Sequence, residues 1–499
     1  MLGRTKAHED QAACHCEGTK SPKQSPNVAK SEIASHPSDA RNDDSKRDFR
    51  VNYNRTKHIT WGLSALFAII FLLASTSLAS PSIEPKRVVL KNGITLLFVE
   101  THALPMVNIS VAIKAGAIYD PPEKGGIASL TAALLDEGTK NRSSKQIAEE
   151  IDFIGGRLSA SGGVDFSSLS LVVLKKDLAT GMELLTDILL NPAFPEEELE
   201  RKKKETIAAI ISEKDDPGAV ASKTFYKAVF KGHPYGIPVE GDEESVSRIT
   251  RDDIVSFYKQ YYKPNNTIIS VTGDLKYKEA VSLIETSLKR WEKSMLKLPD
   301  VPSVTKVMRP DSILIDRNIT QANIVLGHTG ISRDNPDYYA VTLMNYILGG
   351  GGFESRMTKE IRDKKGLAYS VYSSFDVNKY PGPFSVVVQT KNETATEAIE
   401  GIKEELKKIR EEQVKDAELK DAQAYLTGSF PLRLDTNAKI SSFLVLVEFY
   451  SLGLDYINEY AKKIDSVTKD DILSVARKYI DTERYITVVV GKQEKTGLQ

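Results

Sequence analysis

Two side chains in the second half of the chain have the chemistry needed to hold a peptide carbonyl. Arg362 and Tyr369 stand in the run Glu-Ile-Arg-Asp-Lys-Lys-Gly-Leu-Ala-Tyr. A guanidinium and a phenol directed at one carbonyl oxygen would donate a charge-assisted and a neutral hydrogen bond, and would stabilise the oxyanion of a tetrahedral intermediate. Arg362 and Tyr369 are therefore the candidate catalytic residues. The structural alternative stays open at this point, since an arginine near a helix C-terminus complements the helix dipole and a tyrosine is common in strands.

The elements around this pair predict how it is positioned. Ser355 to Lys365 is predicted to be a short helix that ends at Gly366, a residue suited to a left-handed cap. Leu367 to Phe375 is predicted to be a strand. We expect the turn between helix and strand to bring the guanidinium and the phenol to one place. Tyr372 comes three positions after the candidate tyrosine, so we expect it on the other face of the strand.

A glycine run precedes the pair. It consists of Gly349, Gly350, Gly351 and Gly352. Backbone N–H groups without side chains suit an extended peptide, so we interpret these glycines as substrate-binding. A glycine run also ends a helix, here after Tyr346-Ile-Leu, and this structural interpretation stays open.

Composition sets the broad class of the protein. At 499 residues the chain is too long for one core, which suggests two or more domains with appendages. Hydrophobic residues at 41% and charged residues at 27% are typical of soluble globular proteins, and a net charge of -1 gives no reason to expect nucleic acid. Both cysteines, Cys14 and Cys16, lie near the N-terminus, so the rest of the chain holds neither a disulfide nor a thiolate metal site.

The N-terminal part of the chain is predicted to lie outside the fold. Residues 1–57 are polar and indicate disorder, or residues upstream of the true translation start. Residues 58–80 have the pattern of a signal peptide, with an apolar run at 59–78 and a small-x-small cleavage pattern. That run, about 20 residues long, would also serve as an uncleaved signal anchor in the inner membrane. We expect an exported protein, periplasmic if the cell is bacterial.

Beyond residue 85 the chain repeats one unit. Asn108 and Asn323 stand in similar apolar segments, and Thr250 and Thr468 open similar Thr-x-Asp-Asp-Ile segments. The members of each pair are separated by nearly the same length of chain, which indicates a duplication. We predict an N-terminal domain at 85–295 and a C-terminal domain at 303–495, joined by an extended linker.

Within each copy, predicted strands alternate with predicted helices. The runs Ile94 to Val99, Val107 to Ala115 and Leu169 to Leu174 indicate strands, and Asp177 to Leu190 has helical spacing. The expected fold class is α+β. Two homologous domains, each a mainly antiparallel sheet with helices on one face, are expected to form a clamp.

Three features resemble the pitrilysin/insulinase family of zinc peptidases, which includes mitochondrial processing peptidase. They are the duplication, the segment from Gly349 to Tyr369, and Gly232-His-Pro-Tyr-Gly. The resemblance implies a clamp that encloses a chamber, with zinc held by the N-terminal domain. It also implies that an Arg and a Tyr of the C-terminal domain, here Arg362 and Tyr369, reach the substrate. A similar glycine-rich segment contacts substrate in the processing-peptidase relatives.

The zinc-binding half of the family's site is missing from this sequence. Active members carry His-x-x-Glu-His on a helix, in which two imidazoles bind zinc and the Glu activates water, and a later Glu is the third ligand. In the matching stretch, Ser129 and Ala133 stand at the histidine positions and Ala132 at the position of the base. The distal ligand falls at Ala209 or Ile210. We therefore expect no catalytic zinc in this chain.

Scattered histidines do not replace the motif. After residue 80 the histidines are His102, His233 and His328, which are widely separated in sequence. We expect His102 and His233 to be solvated or bonded to backbone, and His328 to be a satisfied histidine in a strand.

Two functions from different classes follow. In the first, the chain is the non-catalytic, substrate-binding subunit of a heterodimeric zinc metalloendopeptidase, and a homologous subunit with an intact His-x-x-Glu-His holds the zinc. In the second, it is a peptide-binding or scaffolding protein without a peptidase partner. The absence of metal ligands gives little support to an autonomous peptidase. A neighbouring gene for a similar chain with intact ligands would favour the first function.

Overall fold

The computed structural model describes residues 83–498. The predicted N-terminal extension at 1–57, with its two cysteines, and the predicted signal segment at 58–80 lie outside the described residues. Among residues 83–498, no helix combines the length and the apolar character needed to cross a membrane.

The strands of the described residues form two sheets, one from each half of the chain. The first sheet contains β1 (Lys86–Val89), β2 (Thr95–Glu100), β3 (Met106–Ile113), β4 (Arg157–Gly162), β5 (Ser167–Leu174) and β6 (Thr267–Gly273), in the order β1-β2-β6-β3-β5-β4. The second contains β7 (Asp311–Asp316), β8 (Gln321–Thr329), β9 (Ala368–Phe375), β10 (Pro383–Lys391) and β11 (Ile486–Gly491), in the order β7-β11-β8-β10-β9. In each sheet one pair of neighbours is parallel, β2 with β6 and β7 with β11, and the others are antiparallel.

The α-helices pack around both sheets. Those of the first half are α1 (Ile127–Ala133), α2 (Ser144–Phe153), α3 (Leu178–Leu190), α4 (Glu196–Glu213), α5 (Pro217–Val229), α6 (Glu243–Arg248), α7 (Arg251–Tyr261) and α8 (Tyr277–Ser287). Those of the second half are α9 (Tyr338–Asn345), α10 (Ala395–Glu411), α11 (Asp416–Ser429), α12 (Asn437–Phe449), α13 (Tyr456–Asp465), α14 (Lys469–Tyr479) and α15 (Gln493–Thr496). The predicted α+β class, with a duplicated and mainly antiparallel sheet, is confirmed.

Strand register repeats between the two sheets. Asn108 of β3 lies opposite Thr272 of β6, and Asn323 of β8 lies opposite Val490 of β11. Both partners stand directly before the glycine that ends their strand. A one-residue slip would move every side chain to the other face, so the matching register shows that both halves fold on one plan.

The same helix cap occurs at equivalent places in the two halves. Thr250 accepts a hydrogen bond from the N–H of Asp253, whose side chain accepts one from the N–H of Thr250, and this capping box starts α7. Thr468 and Asp471 form the same box at the start of α14. The second copy of this local arrangement supports the duplication.

Each half sends one helix to the sheet of the other half. The first-half helix α5 packs on β8 and β11, and the second-half helix α12 packs on β3 and β6. Ile440 and Leu444 of α12 are buried in one cluster with Leu97 of β2 and Ile268 of β6. Each sheet is thus covered by helices of its own half on one face and by a helix of the other half on the opposite face. The expectation of helices on one face therefore holds only for the helices of the same half, because the exchanged helix buries the second face. This exchange fixes the two halves relative to each other, because separating them would expose apolar surface on both.

A buried carboxylate also joins the halves. Asp165, in the first half, accepts hydrogen bonds from Tyr235 Oη at 2.6 Å and from the N–H of Lys379, in the second half, at 2.9 Å. Tyr450, also in the second half, donates to the same carboxylate at 3.4 Å. Burial raises the pKa of Asp165, and these donors oppose that rise. The exchanged helices and this polar contact hold the two halves in one arrangement.

Candidate functional site

Arg362 lies in a helical segment of unusual form. The predicted helix before Gly366 is present, but residues Thr358–Lys364 are π-helical, and the N–H of Lys365 bonds to the carbonyl of Glu360, five positions back, at 3.2 Å. Gly366 follows with φ +65°, so the predicted glycine cap is confirmed. Short π-helical turns are rare and occur frequently at functional sites.

A β-bulge determines where Tyr369 points. Ser370 pairs with Gln389, whereas Ala368 pairs with Thr390, so Tyr369 is an extra residue without a partner in β10. Its side chain is 77% exposed. A bulge inserts one residue into a strand and redirects the side chains beside it. Since β9 is the edge strand of the second sheet, the Tyr369 phenol is presented to solvent.

The bulge also changes the face on which Tyr372 lies. Simple alternation places Tyr372 opposite Tyr369, but the extra residue shifts the alternation by one. Val371 and Ser373 are buried, and the Tyr372 side chain between them is 48% exposed. The expectation that Tyr372 lies on the other face is therefore wrong. The outer face of β9 carries both phenols.

Arg362 differs from the neighbouring cations in its electrostatic environment. Its closest carboxylate among the described residues is that of Asp363, at 3.9 Å, and its guanidinium lies 4.8 Å from the ring centre of Phe353. The other arginine and lysine side chains between residues 356 and 365 each have a carboxylate within 3.1 Å. These pairs are Arg356–Glu418, Lys359–Glu354, Lys364–Glu360 and Lys365–Glu404. The loosely paired Arg362 guanidinium is thus the one most available to an incoming acceptor.

The glycine run begins in a second π-helical segment, Tyr346–Gly350. A Cβ on Gly349 would lie 2.6 Å from the backbone N of Ser373, so only glycine permits this close approach to β9. Gly352 has φ +59° and faces open space. The run therefore has one end packed on the edge strand and the other end exposed.

Side chains from both π-helical regions bond to the backbone of β9. Asn345, which precedes the glycine run, donates from Nδ2 to the carbonyl of Ser373 at 3.2 Å. Thr358 donates from Oγ1 to the carbonyl of Val371 at 3.4 Å. The structure thus brings the predicted glycine run, Arg362 and Tyr369 to the surroundings of one strand. We call Arg362, Tyr369 and Gly349–Gly352 the Arg–Tyr face.

Helix α1 carries the positions that match the zinc motif. Ser129 and Ala133 lie one turn apart and are half-buried, and Ala132 is fully buried. On the neighbouring helix α4, Ile210 is buried and Ala209 is exposed. None of these side chains offers an imidazole or a carboxylate, so this set of residues does not fit a zinc ion. No cluster of metal-ligating side chains large enough to hold an ion occurs within residues 83–498.

The carboxylate of Glu137, which follows α1, is used in ion pairs. It lies 2.7 Å from the side-chain nitrogens of both Arg201 and Lys202. Burial alone would raise the pKa of Glu137, but hydrogen bonds from Lys202, Ser144 and Arg201 outweigh it and lower the pKa. The carboxylate is bound to α4 and does not take the place of a missing ligand.

Asp120 is a buried residue near α1 that sequence reasoning did not identify. Its carboxyl accepts hydrogen bonds from the N–H groups of Gly126 at 2.7 Å and Ala128 at 3.1 Å, at the start of the helix. Burial raises the pKa of Asp120 to about 8. The sequence signal for this contact is weak, because Asp120 precedes two prolines and lies outside the usual position of an N-cap.

The three histidines of the described residues lie in separate places. His102 contacts the carboxylates of Asp274 and Glu100. His233 is buried and accepts a hydrogen bond from the N–H of Tyr235. His328 is buried in β8, and its Nε2 accepts from the N–H of Asp481 at 3.0 Å.

The chain matches two family models over most of its described length. Residues 96–243 match the model described as insulinase (peptidase family M16), and residues 248–426 match the model described as the peptidase M16 inactive domain. The first match includes α1 and the second includes the Arg–Tyr face.

Bacterial relatives are similar along the same region. A protein of Rickettsia bellii called an uncharacterized zinc protease is 29% identical over 416 residues, which is 82% of this chain and 98% of the relative. Another with that description, from Mycobacterium leprae, is 28% identical over 407 residues, covering 81% of this chain and 91% of the relative.

Solved structures share the fold. One, the peptidase M16 inactive domain from Pseudomonas fluorescens, has a TM-score of 0.77 at 28% identity and covers 82% of this chain and 98% of its own. Another, a protease from Helicobacter pylori, has a TM-score of 0.77 at 20% identity over 82% of this chain and 100% of its own. The second similarity concerns the fold alone.

Proposed function

Because the chain belongs to the insulinase family of peptidases, family M16, we propose that it is the non-catalytic, substrate-binding subunit of a heterodimeric zinc metalloendopeptidase. Its partner would be a homologous chain with an intact His-x-x-Glu-His motif, which would bring the zinc. This chain would contribute the Arg–Tyr face, and the substrate would be a peptide or an unfolded segment.

The main observation in support of this proposal is the loosely paired Arg362 guanidinium. The other cations of its segment are neutralised by close carboxylates, as cations that serve the structure usually are. Arg362 instead remains 3.9 Å from its closest carboxylate. It would donate a charge-assisted hydrogen bond to the carbonyl of a bound peptide, and this bond would strengthen as the carbonyl oxygen gains negative charge.

Tyr369 would act beside it. The phenol projects from a bulge in an edge strand and is exposed, so its hydroxyl is free to donate to the same substrate backbone. Gly349–Gly352 would leave room for the extended chain and offer backbone N–H groups to it. Two donors of different charge on one side of a substrate would orient the scissile carbonyl as well as stabilise its oxyanion.

The arrangement of the two halves supports action together with a second chain. Helix α1 packs against β4, α4 and α7, whereas the π-helical segment of Arg362 packs against β9 and α10. The exchange of α5 and α12 holds these two regions in fixed positions. Since α1 carries no metal ligand and packs on other elements than the Arg–Tyr face does, a separate subunit is the natural place for the zinc.

Reconstitution of the heterodimer tests this function. The purified chain is mixed with the candidate partner, and hydrolysis of a fluorogenic peptide is measured with wild type, Arg362→Ala and Tyr369→Phe. We expect Arg362→Ala to lower kcat about 100-fold, since losing one oxyanion donor costs roughly 3 kcal/mol. Tyr369→Phe should lower it less. Lys364→Ala is the matched control, because it removes an exposed cation already paired with Glu360.

Two results would reject the proposal. One is unchanged hydrolysis in both the arginine and the tyrosine variants. The other is peptide hydrolysis by this chain alone with stoichiometric zinc bound. Peptide binding by this chain that no added partner converts into hydrolysis would instead favour the peptide-binding or scaffolding function.

We also propose that the protein is exported, with residues 59–78 acting as signal peptide or membrane anchor. The apolar run and the small-x-small pattern at its end support this location. N-terminal sequencing of the mature protein from cell fractions tests it, and a mature chain that starts at Met1 in the cytosolic fraction would reject it.

A further inference from the structure

A cavity of about 720 Å³, which shares no lining residue with the Arg–Tyr face, lies beneath the segment that connects the two halves. Its walls are Pro299–Pro302 of this segment, the turn Gly232–Gly236, and residues at the ends of α5 and α7. The volume lies within the range of small-molecule sites in proteins. The proposed peptidase function gives this cavity no role.

The walls of the cavity are largely apolar. Tyr119 and Tyr261 stack with ring centres 5.5 Å apart and planes inclined by 20°, and Phe230 also lines the cavity. Proline rings supply much of the rest. They are Pro121, Pro122, Pro234, Pro299 and Pro302. Rigid rings on several sides form a preorganised surface for a flat apolar group, since they lose little conformational entropy on binding.

A buried imidazole, that of His233, lies in the wall of the cavity. His233 is 5% exposed, and its Nδ1 accepts from the N–H of Tyr235 at 3.1 Å, so Nε2 carries the proton. Within the described residues, the one polar group that Nε2 contacts is the backbone carbonyl of Pro302, and this contact does not reach normal hydrogen-bond geometry. Burial lowers the pKa of His233 and favours this neutral form. A buried donor left in this state gains from an acceptor supplied by a ligand.

The charges around the cavity favour an anion. Lys227 and Lys231, one turn apart, are exposed on its rim. Lys227 helps to lower the pKa of Asp242, which is not part of the cavity wall, but neither lysine forms a close ion pair in the described part of the chain. The carboxyl of Asp120 also borders the cavity, but burial raises its pKa to about 8, so it is largely uncharged at neutral pH. Asp300 is the remaining acid in the wall. Two cations against one carboxylate give the rim a net positive charge.

We propose that this cavity binds a small apolar carboxylate, with a flat ring against the tyrosine pair and the carboxylate directed to His233 Nε2 and the two rim lysines. The same chemistry is offered by a free aromatic acid and by the C-terminal residue of a short apolar peptide. The site is independent of the Arg–Tyr face and needs no partner subunit.

Ligand-observed NMR and calorimetry with 1-naphthaleneacetate test the proposal on the full chain. The matched probe is 2-(1-naphthyl)ethanol, which keeps the ring and lacks the charge. We expect the acid to bind at least about tenfold more tightly than the alcohol. His233→Leu should weaken binding of the acid about tenfold, and His233→Gln, which restores an N–H donor, should recover most of it.

Charge reversal at the rim provides a second test that leaves the buried wall intact. Lys227→Glu with Lys231→Glu should weaken binding of the acid about tenfold and leave the alcohol unchanged. Lys407→Glu with Lys420→Glu is the matched control, since it makes the same charge change at exposed lysines of the other half. Urea unfolding of each variant checks that the fold is kept.

The proposal is overturned if the wild type binds neither probe at millimolar concentration, or binds the alcohol as tightly as the acid. It is also overturned if the acid binds wild type, His233→Leu and the rim variant equally. Competition by N-acetylphenylalanine would assign the site to peptide C-termini, and bound naphthaleneacetate without that competition would assign it to free acids. Both of these outcomes support recognition of a carboxylate.

Discussion

The edge strands β4 and β9 hold equivalent places at the ends of the two sheets, but their surroundings differ. Beside β4 lies α1, a regular helix whose face toward Gly162 carries Ser129. Beside β9 lie two π-helical segments, a loosely paired arginine and a bulge that exposes a phenol. The comparison shows that one backbone plan accommodates different side chains and local geometry at equivalent edges, because the plan depends on apolar burial and not on these few side chains.

Introducing metal ligands into α1 is expected to have the largest effect on the difference between the surroundings of β4 and β9. Ser129→His with Ala133→His places two imidazoles one turn apart at half-buried positions. We expect the double variant to bind zinc with a dissociation constant on the order of micromolar, or about 8 kcal/mol, measured by equilibrium dialysis and metal analysis. The single Ser129→His variant is the control. Equal zinc in both variants would show that α1 does not present the two positions together.

The buried carboxyl at the start of α1 predicts a pH effect on stability. Asp120 has a folded-state pKa of about 8, above its ordinary value of about 4, so the folded state binds the proton more tightly. The contribution of protonated Asp120 to the free energy of unfolding is fully present below about pH 4 and is lost as the pH rises to about 8. Asp120→Asn should remove this slope, which is at most about 1.4 kcal/mol per pH unit.

Urea unfolding between pH 5 and pH 8 measures this effect. The wild type should lose stability over the range, and Asp120→Asn should lose less. The control is Asp253→Asn. Burial would raise the pKa of Asp253, but hydrogen bonds from Lys124 and Thr250 lower it, so its contribution has the opposite sign. Parallel curves for wild type and Asp120→Asn would contradict the buried carboxyl.

Two glycines of the Arg–Tyr face differ in how closely they pack on other residues. In Gly349→Ala the new Cβ would meet the Ser373 side chain at 2.5 Å and its backbone N at 2.6 Å, so we expect a loss of about 1–3 kcal/mol. Gly352→Ala meets no atom within 4 Å and should lose only about 1–2 kcal/mol, from its φ of +59°. Denaturant melts of both variants give the comparison. A larger loss at Gly352 would mean that the run does not pack on β9 as described.

Two arginines near β9, Arg356 and Arg362, differ in their ion pairing and therefore in their expected effect on stability. Arg356 makes two hydrogen bonds to Glu418, at 2.7 and 2.8 Å, in a partly buried site. Arg356→Ala should lower stability by about 1–3 kcal/mol. Arg362→Ala should change it by less than about 0.5 kcal/mol, because no close carboxylate is left unpaired. Thermal unfolding of both variants measures the difference, with Lys359→Ala as control. A larger loss of stability in Arg362→Ala than in Arg356→Ala would contradict the expectation.

Much of the fold was accessible from local sequence. The run of apolar residues at 178–190 forms α3, and the Thr-x-Asp-Asp box was visible at both Thr250 and Thr468, since a cap involves residues only three positions apart. The repeat in the sequence matches the strand register. Gly366 was identified as a left-handed cap for the same local reason.

The details of the site depended on distant residues. The bulge at Tyr369 arises from pairing between β9 and β10, and alternation within β9 alone placed Tyr372 on the wrong face. The π-helical form around Arg362 was likewise missed. A π-helical turn differs from an α-helical turn by one residue, and in so short a segment this difference does not change the apolar spacing. Asp120 reaches α1 from outside the positions that cap patterns use.

The sequence by itself determined the duplication, the α+β class and the absence of imidazoles from α1, because each is a matter of residue order or residue type. Tertiary structure alone decided which cation stays loosely paired, which phenols share a face and how α5 and α12 are exchanged between the sheets. The physical reason is that ion pairing, bulges and helix packing are set by contacts between residues far apart in the chain. Their energies depend on geometry that no local pattern records.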